Sequence, residues 1–370
     1  MSRYLFSQAS SADNEAILEL IAIPMPGLIT LAMERAPDYF LGARVQNQEI
    51  DIYCCKDSRA NDRLAGLFSV GKRKVYLDGR RQWIPYFSDL RIHPDYQHTL
   101  VLMRMIQFVQ KERILGAGEY AQTVVFSDNA IMQRLIEKSQ QQQKRSLNLP
   151  SYHQFGEYIT HTVAIKRKNL AAISPQIDQT VRKARAEDVS IIQDFHDQLA
   201  PQKQFYPQYA FDQLDTVYYS HLRLEDIYLA FRQETLIGML GVWDQKQFKQ
   251  TVVVDYQQPL KALRPLANVF APFHLPKAGT PLNYFSLHSI LIQKNQPEVF
   301  RSLMNAVLKD YEQREYAYFL CGLDTRDPLN QAFDHMKARR TILGKHFLVS
   351  FGRCQLPVPD SVFYLEVGRI

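Results

Sequence analysis

One strand-turn-helix stretch of this chain occurs twice at domain spacing, and few folds are open to a chain that repeats such a unit. From Trp83 to Ile92 aromatic and β-branched residues dominate, as on a half-buried pleated strand. His93-Pro94-Asp95-Tyr96 breaks it, and from Gln97 to Arg113 the apolar residues Leu102, Met105, Ile106 and Val109 recur at the spacing of one helical face. Gly116-Ala117-Gly118 stops that helix, Tyr120 to Phe126 reads as a second strand, and Asp128 or Asn129 caps a helix from Ala130 to Lys138. Tyr86-Phe87-Ser88 then recurs as Tyr284-Phe285-Ser286, and Glu119-Tyr120-Ala121 as Glu315-Tyr316-Ala317. Ala9 and Asp13 are matched in spacing by Ala184 and Asp188, and Leu64-Ala65-Gly66-Leu67 by Leu236-Ile237-Gly238-Met239. A duplicated domain accounts for all four correspondences; chance likeness between two α/β halves is the competing explanation.

Length agrees with duplication, since 370 residues exceed one ordinary domain of roughly 150. A 46% hydrophobic and 12% aromatic composition suits a folded chain with a core in each half. No run approaches the ~18 uncharged apolar residues of a membrane helix, and Met1 to Asp13 lacks the pattern of a signal peptide, so the expected location is the cytoplasm. Cys54 and Cys55 are adjacent, Cys321 and Cys354 stand alone, and no Cys-x-x-Cys or paired histidine offers a metal clamp. The thiols read as buried and free, and no metal is expected. A net charge of +6 favours an anionic partner. Its densest cluster, Lys72-Arg73-Lys74 with Arg80-Arg81, flanks a Leu77-Asp78-Gly79 turn and reads as a solvated hairpin tip. The aromatics there follow strand spacing, which argues against nucleic acid.

In chain order, Tyr4 to Gln8 reads as a strand, and Ser11 or Asp13 caps a helix through Ile21 that Pro24-Met25-Pro26-Gly27 ends. A second helix is expected over Ile29 to Glu34 and a strand over Ile50 to Cys55. Leu64 to Tyr76 and Gln82 to Ile92 form a hairpin through Asp78-Gly79. Gln140 to Arg145 is a polar loop, Tyr158 to Ile165 a closing strand, and Lys166-Arg167-Lys168, with Pro175 beyond, marks a linker. The second half repeats the order: a strand at Thr180 to Ala184, a helix at Asp188 to Leu199, strands at Ile227 to Arg232 and Leu236 to Asp244. Between Gly238 and Ser286 it carries far more chain than lies between Gly66 and Ser88. The surplus holds Pro259, Pro265, Pro272, Pro276 and Pro281 with Phe270 and Phe273, too apolar for a free loop, and reads as a lid or an inter-domain contact.

These patterns resemble the GNAT acyltransferase superfamily in both halves and over most of the chain. The marks are Arg182-Lys183-Ala184-Arg185-Ala186-Glu187-Asp188 at the end of an opening strand, a hairpin with Leu-x-Gly, and Leu90-Arg91-Ile92-His93-Pro94-Asp95-Tyr96-Gln97 before a helix. The resemblance implies an α/β (α+β) fold of two tandem domains, each a mixed, mostly antiparallel twisted sheet flanked by helices. They would span 1–168 and 180–370, joined by a linker at 169–179, with an insertion near 256–281. It also implies acetyl-CoA or another acyl-CoA as co-substrate, its pantetheine in a gap between the fourth and fifth strands, and the amine of a small molecule or peptide as acceptor. Backbone N–H groups of Leu90, Arg91 or Ile92 would polarise the carbonyl. The diphosphate would lie over Gln97, His98, Thr99, Leu100, Val101 and Leu102 at a helix N-terminus, with Asn129 opening the next helix.

The sequence departs from the family at several of these points. The family turn carries glycines where this chain has Leu100 and Leu102, and the second half's Gln293 to Val299 has none. The tyrosine expected seven residues beyond Asn129 is Ile136, and the position seven beyond Asp327 is Asp334. Remaining candidates are Asp89 and His288 for proton transfer. Asp324, Arg326 and Asp327 form a further cluster that reads as an ion pair with capping, and Tyr96, Tyr120 and Tyr316 read as core or rim aromatics. Two functions stand: an acyl-CoA-dependent N-acyltransferase with acetyl as default donor, or a catalytically degenerate GNAT-fold module that binds a ligand or a protein.

Overall fold

The structure, a computed structural model, describes residues 3–25, 28–116, 118–142, 149–170, 179–270, 275–357 and 361–370. Several expectations lie outside them: Pro26-Gly27, Ala117, Gln143 to Arg145, most of the 169–179 linker with Pro175, and Pro272 and Phe273.

The first half runs β1 (Tyr4–Gln8), α1 (Asn14–Ile21), β2 (Ile29–Glu34), α2 (Tyr39–Gln46), β3 (Glu49–Asp57), β4 (Arg63–Leu77), β5 (Arg80–Ile92), α3 (Val101–Lys111), β6 (Ala121–Phe126), α4 (Ala130–Gln142) and β7 (Ser151–Ala164). After it come β8 (Thr180–Lys183), α5 (Val189–Leu199), β9 (Tyr206–Pro207), β10 (Ile227–Arg232), β11 (Thr235–Trp243), β12 (Gln250–Tyr256), α6 (Leu260–Phe270), β13 (Thr280–Pro281), β14 (Tyr284–Ile292), α7 (Pro297–Tyr311), β15 (Tyr318–Asp324) and β16 (Arg339–Ser350). Local chemistry sets many boundaries. Asp13 and Asp188 each accept a 2.8 Å bond from the backbone N–H three residues earlier, at Ser10 and Arg185, and so open α1 and α5 alike. Asp78 and Gly79 turn the β4–β5 hairpin with φ of 50° and 73°. Asn129 caps α4 by accepting from the Met132 amide at 3.1 Å.

Thirteen strands form one mixed sheet in the order β1-β3-β4-β5-β6-β16-β7-β15-β14-β11-β10-β8, with β9 beside β4. The order is palindromic about its centre: an antiparallel ladder on each side ends in a parallel pair, β5 with β6 and β14 with β15. Between those pairs the halves exchange strands. β16 lies between β6 and β7, and β7 lies between β16 and β15. The largest apolar cluster likewise mixes Tyr76, Val163 and Ile165 with Phe195, Trp243 and Phe300.

Two elements differ from expectation, the first being Gln140 to Gln142, read as the start of a polar loop and found as the last residues of α4. Ile29 to Glu34 is a strand, not a helix, and joins β12 and β13 in a small second sheet. Helix-forming Leu, Ala and Met there are overruled by pairing with a segment far along the chain. The proline-rich surplus supplies β12, α6 and β13, so it makes the inter-half contact foreseen as one of its two readings.

Candidate functional site

Ladder register locates a gap in the sheet. Gly66 pairs with Ile92 and Gly238 with Ile292, after which β5 bulges at Asp89 and β14 at Ser289, both with left-handed backbone, φ 54° and 50°. At this register Ser88 stands where His288 stands in the second half, each beside the third residue beyond its glycine, Ser69 and Gly241. The Leu-x-Gly correspondence is therefore aligned, whereas Tyr86-Phe87-Ser88 and Tyr284-Phe285-Ser286 lie two residues out of step. A slip of two leaves every side chain on its own face, so the tripeptides share their facing without occupying equivalent positions on this ladder.

β5 meets β6 only at Tyr86 and Gln122 and then diverges. A cavity of about 530 Å³ opens there. Its walls come from both faces of the sheet: Met105, Ile106 and Val109 of α3 and Met132 of α4 on one, Ile21, β2, β12 and the 367–370 segment on the other. It is thus a passage through the sheet, largely apolar. On its floor Arg35 holds Asp89 with two bonds, Nη1 donating at 2.8 Å and Nη2 at 3.0 Å, and the Tyr39 hydroxyl donates to the same carboxylate at 2.9 Å. Burial opposes the Arg35 charge, but Asp89 and Tyr39 more than offset it and its pKa is raised. Burial, then the Asp89 charge, pushes the Tyr39 hydroxyl well above its usual range. Lys249 also lines the passage, donating to the Gly368 and Ile370 carbonyl oxygens. Burial first, then Arg35, lowers its ammonium pKa to about 7.

Of the residues singled out in the sequence, Asp89, Leu90, Arg91, Leu102 and Asn129 line this passage. Ile92 and Val101 do not, and Gln97, His98, Thr99 and Leu100 form an exposed turn ahead of α3, with Leu100 61% accessible. His288 corrects its expected role. It is fully buried beside Trp243 and Tyr209, bonds Ser289 Oγ at 2.9 Å, and burial drives its pKa down to about 3, so it stands away from Asp89 as a neutral core residue. Ile136, at the family's tyrosine position, is buried in α4. Arg35, Tyr39, Lys249 and Arg340 went unforeseen, because only the pairing of β2 with β12, the packing of α2 and the insertion of β16 bring them here.

The second half's gap is closed by the chain itself. β14 and β15 pair at Tyr284, Phe285 and Ser286, and beyond them the 361–370 segment fills the space. The Ser289 amide donates to Glu366 Oε2 at 3.1 Å, the Ile290 amide to the Tyr364 hydroxyl at 3.2 Å, and the Phe363 amide to Asp324 Oδ2 at 3.1 Å. Asp324 also takes the Arg326 guanidinium and Asp327 takes Lys203, the ion-paired and capping arrangement the sequence suggested.

No family model and no curated relative matches this sequence. Solved structures do. A GCN5-related N-acetyltransferase from Sphaerobacter thermophilus is similar at TM-score 0.56 and 10% identity, with 97% of this chain and 99% of that one aligned. The GCN5-related glucosamine N-acetyltransferase region of a fungal multi-domain β-N-acetylglucosaminidase reaches 0.57 at 10% identity, over 94% of this chain and 38% of that one. A GCN5-related N-acetyltransferase from Anabaena variabilis reaches 0.50 at 11% identity, over 95% and 73%.

Proposed function

On the GNAT fold that these likenesses show, we propose that the chain is an acyl-CoA-dependent N-acyltransferase with one donor site, in the gap between β5 and β6, in a molecule built from a duplicated domain. The observation that carries this reading is the asymmetry of the two gaps. The first remains a passage lined by Asp89 and Leu90. At the matching bulge of the second, the Ser289 and Ile290 amides are spent on Glu366 and Tyr364. The second half thus fits the non-catalytic reading, and lends its β12–β13 segment as a wall for the first.

The residues present suit the co-substrate. Ser88 Oγ and Arg91 Nε are buried polar atoms beside the passage without a partner, groups that a pantetheine amide or carbonyl could satisfy. Gln97 to Leu100 and the first turn of α3 would hold the diphosphate at the mouth. Bound there, acyl-CoA supplies an activated acyl carbonyl. The amides at the β5 bulge would hold its oxygen, and Asp89, fixed by Arg35 and Tyr39, would take the acceptor's proton directly or through water. The acceptor enters from the β2–β12 side.

Calorimetry with acetyl-CoA tests the reading, with thiol release on adding a primary amine as its second arm. One equivalent should bind and raise the melting temperature. Two equivalents, or none at millimolar concentration, would overturn it.

A further inference from the structure

The acceptor side of the passage has a definite chemical character. Ile29 and Leu31 of β2 face Val253, Tyr256 and Leu275 of the second half in one apolar cluster, with Leu282 against it. Three guanidinium groups line the passage as a whole, Arg35, Arg91 and Arg340, with the Lys249 charge weakened by burial, against two side-chain carboxylates, Glu34 and Asp89. Asp89 is already matched by Arg35. Apart from those charges, the unpartnered buried atoms toward this side are neutral, Thr160 Oγ1 and Gln250 Oε1. A polyamine or other polycation would enter against this surplus of positive charge and would find a single unmatched carboxylate to receive its several ammonium groups. A molecule with one amine and an apolar body meets the opposite conditions. Its body exchanges water for the aliphatic wall. The neighbouring cations disfavour its ammonium form, which is the form that cannot attack a thioester.

Resting on the transferase reading above, we propose that the acceptor is a monoamine with a bulky apolar body, seated between β2 and the β12–β13 segment, and not a polycationic amine. The transfer balances simply: the amine nitrogen bonds the acyl carbon, the carbon–sulfur bond breaks, and the nitrogen's proton ends on the departing thiol.

The test titrates the wild-type protein, without co-substrate, with 1-aminoalkanes from butylamine to octylamine and with spermidine, and then measures thiol release from acetyl-, butyryl- and octanoyl-CoA with the same amines. Each added methylene should tighten binding roughly fourfold until the chamber is full. Spermidine should bind at least about tenfold more weakly than octylamine. Leu31→Ala should weaken octylamine while leaving acetyl-CoA affinity unchanged. Spermidine equal to or better than octylamine overturns the proposal, as does a flat series. So does a gain per methylene that follows the acyl chain of acyl-CoA and not the amine, since the chamber would then hold the acyl group. Failure of acetyl-CoA to bind would defeat the transferase reading alone, because the amine titration is read without it.

Discussion

Asp89 unites two properties that a single substitution can separate. Its left-handed backbone bends β5 into the passage, a conformation that Asp and Asn tolerate better than most residues. Its carboxylate is what Arg35 and Tyr39 hold. Asp89→Asn keeps the bend and removes the charge. Thiol release should then fall about 100-fold with acetyl-CoA affinity retained, if the carboxylate is the proton acceptor. The same change leaves the buried Arg35 guanidinium without its counter-charge, at a cost of about 3 kcal/mol in urea unfolding. The double variant Arg35→Met/Asp89→Asn, which keeps the bend and removes the uncompensated charge, should recover most of that stability and none of the activity. Equal activity in Asp89→Asn would remove Asp89 from the chemistry. Asp89 could be picked from sequence because it sits on a recognisable strand end. Lys249 could not, for its position depends on a sheet assembled from three distant segments.

Among the elements, those shaped by neighbours in sequence were legible and those shaped by distant ones were not. The β4–β5 hairpin and the openings of α1 and α5 follow from their own turn and capping residues. Ile29 to Glu34 misled because its composition suits a helix and only β12 makes it a strand. The role of β16 had no local sign at all, since its neighbours β6 and β7 lie some two hundred residues back in the chain. The turn before α3 shows the opposite case, in which an element stands as read while its side chains project elsewhere. Leu100 is exposed ahead of α3 and does not line the passage. Leu100→Glu should therefore leave the melting temperature unchanged and weaken acetyl-CoA by about tenfold, through repulsion of the diphosphate. Unaltered affinity would place the diphosphate away from this turn.

At the scale of the molecule, the repeated spacing of Asp13, Gly66 and their counterparts was legible, and the palindromic strand order agrees with it, but the placing of β16 and β7 between the parallel pairs was not. With β16 seated between β6 and β7, residues 3–170 alone would leave both strands without that partner, so the first half expressed by itself should not fold, and the whole chain should unfold in one urea transition. Shared burial also fixes the acid limit. His161, His288 and His346 lie in the core, and burial pushes their pKa values down to about 4, 3 and 3. An unfolded histidine titrates near 6.5, so below that pH the unfolded chain binds protons that the folded chain refuses, and stability falls as pH falls. Each contributes a slope of up to about 1.4 kcal/mol per pH unit, and the three together about 4, between roughly pH 6 and 4. Carboxylates whose pKa values are lowered, such as Asp13 and Asp188, add to the loss only below about pH 4. His346 does not line the passage and, among the described residues, has no hydrogen-bond partner at either ring nitrogen, so His346→Phe should remove its share without touching the site. Urea midpoints measured from pH 8 to 4 should drop steeply below about 6 in the native chain and less steeply in that variant. A native chain equally stable at pH 7 and pH 5 would show that these imidazoles open to water, and that the exchanged core is looser than its packing implies.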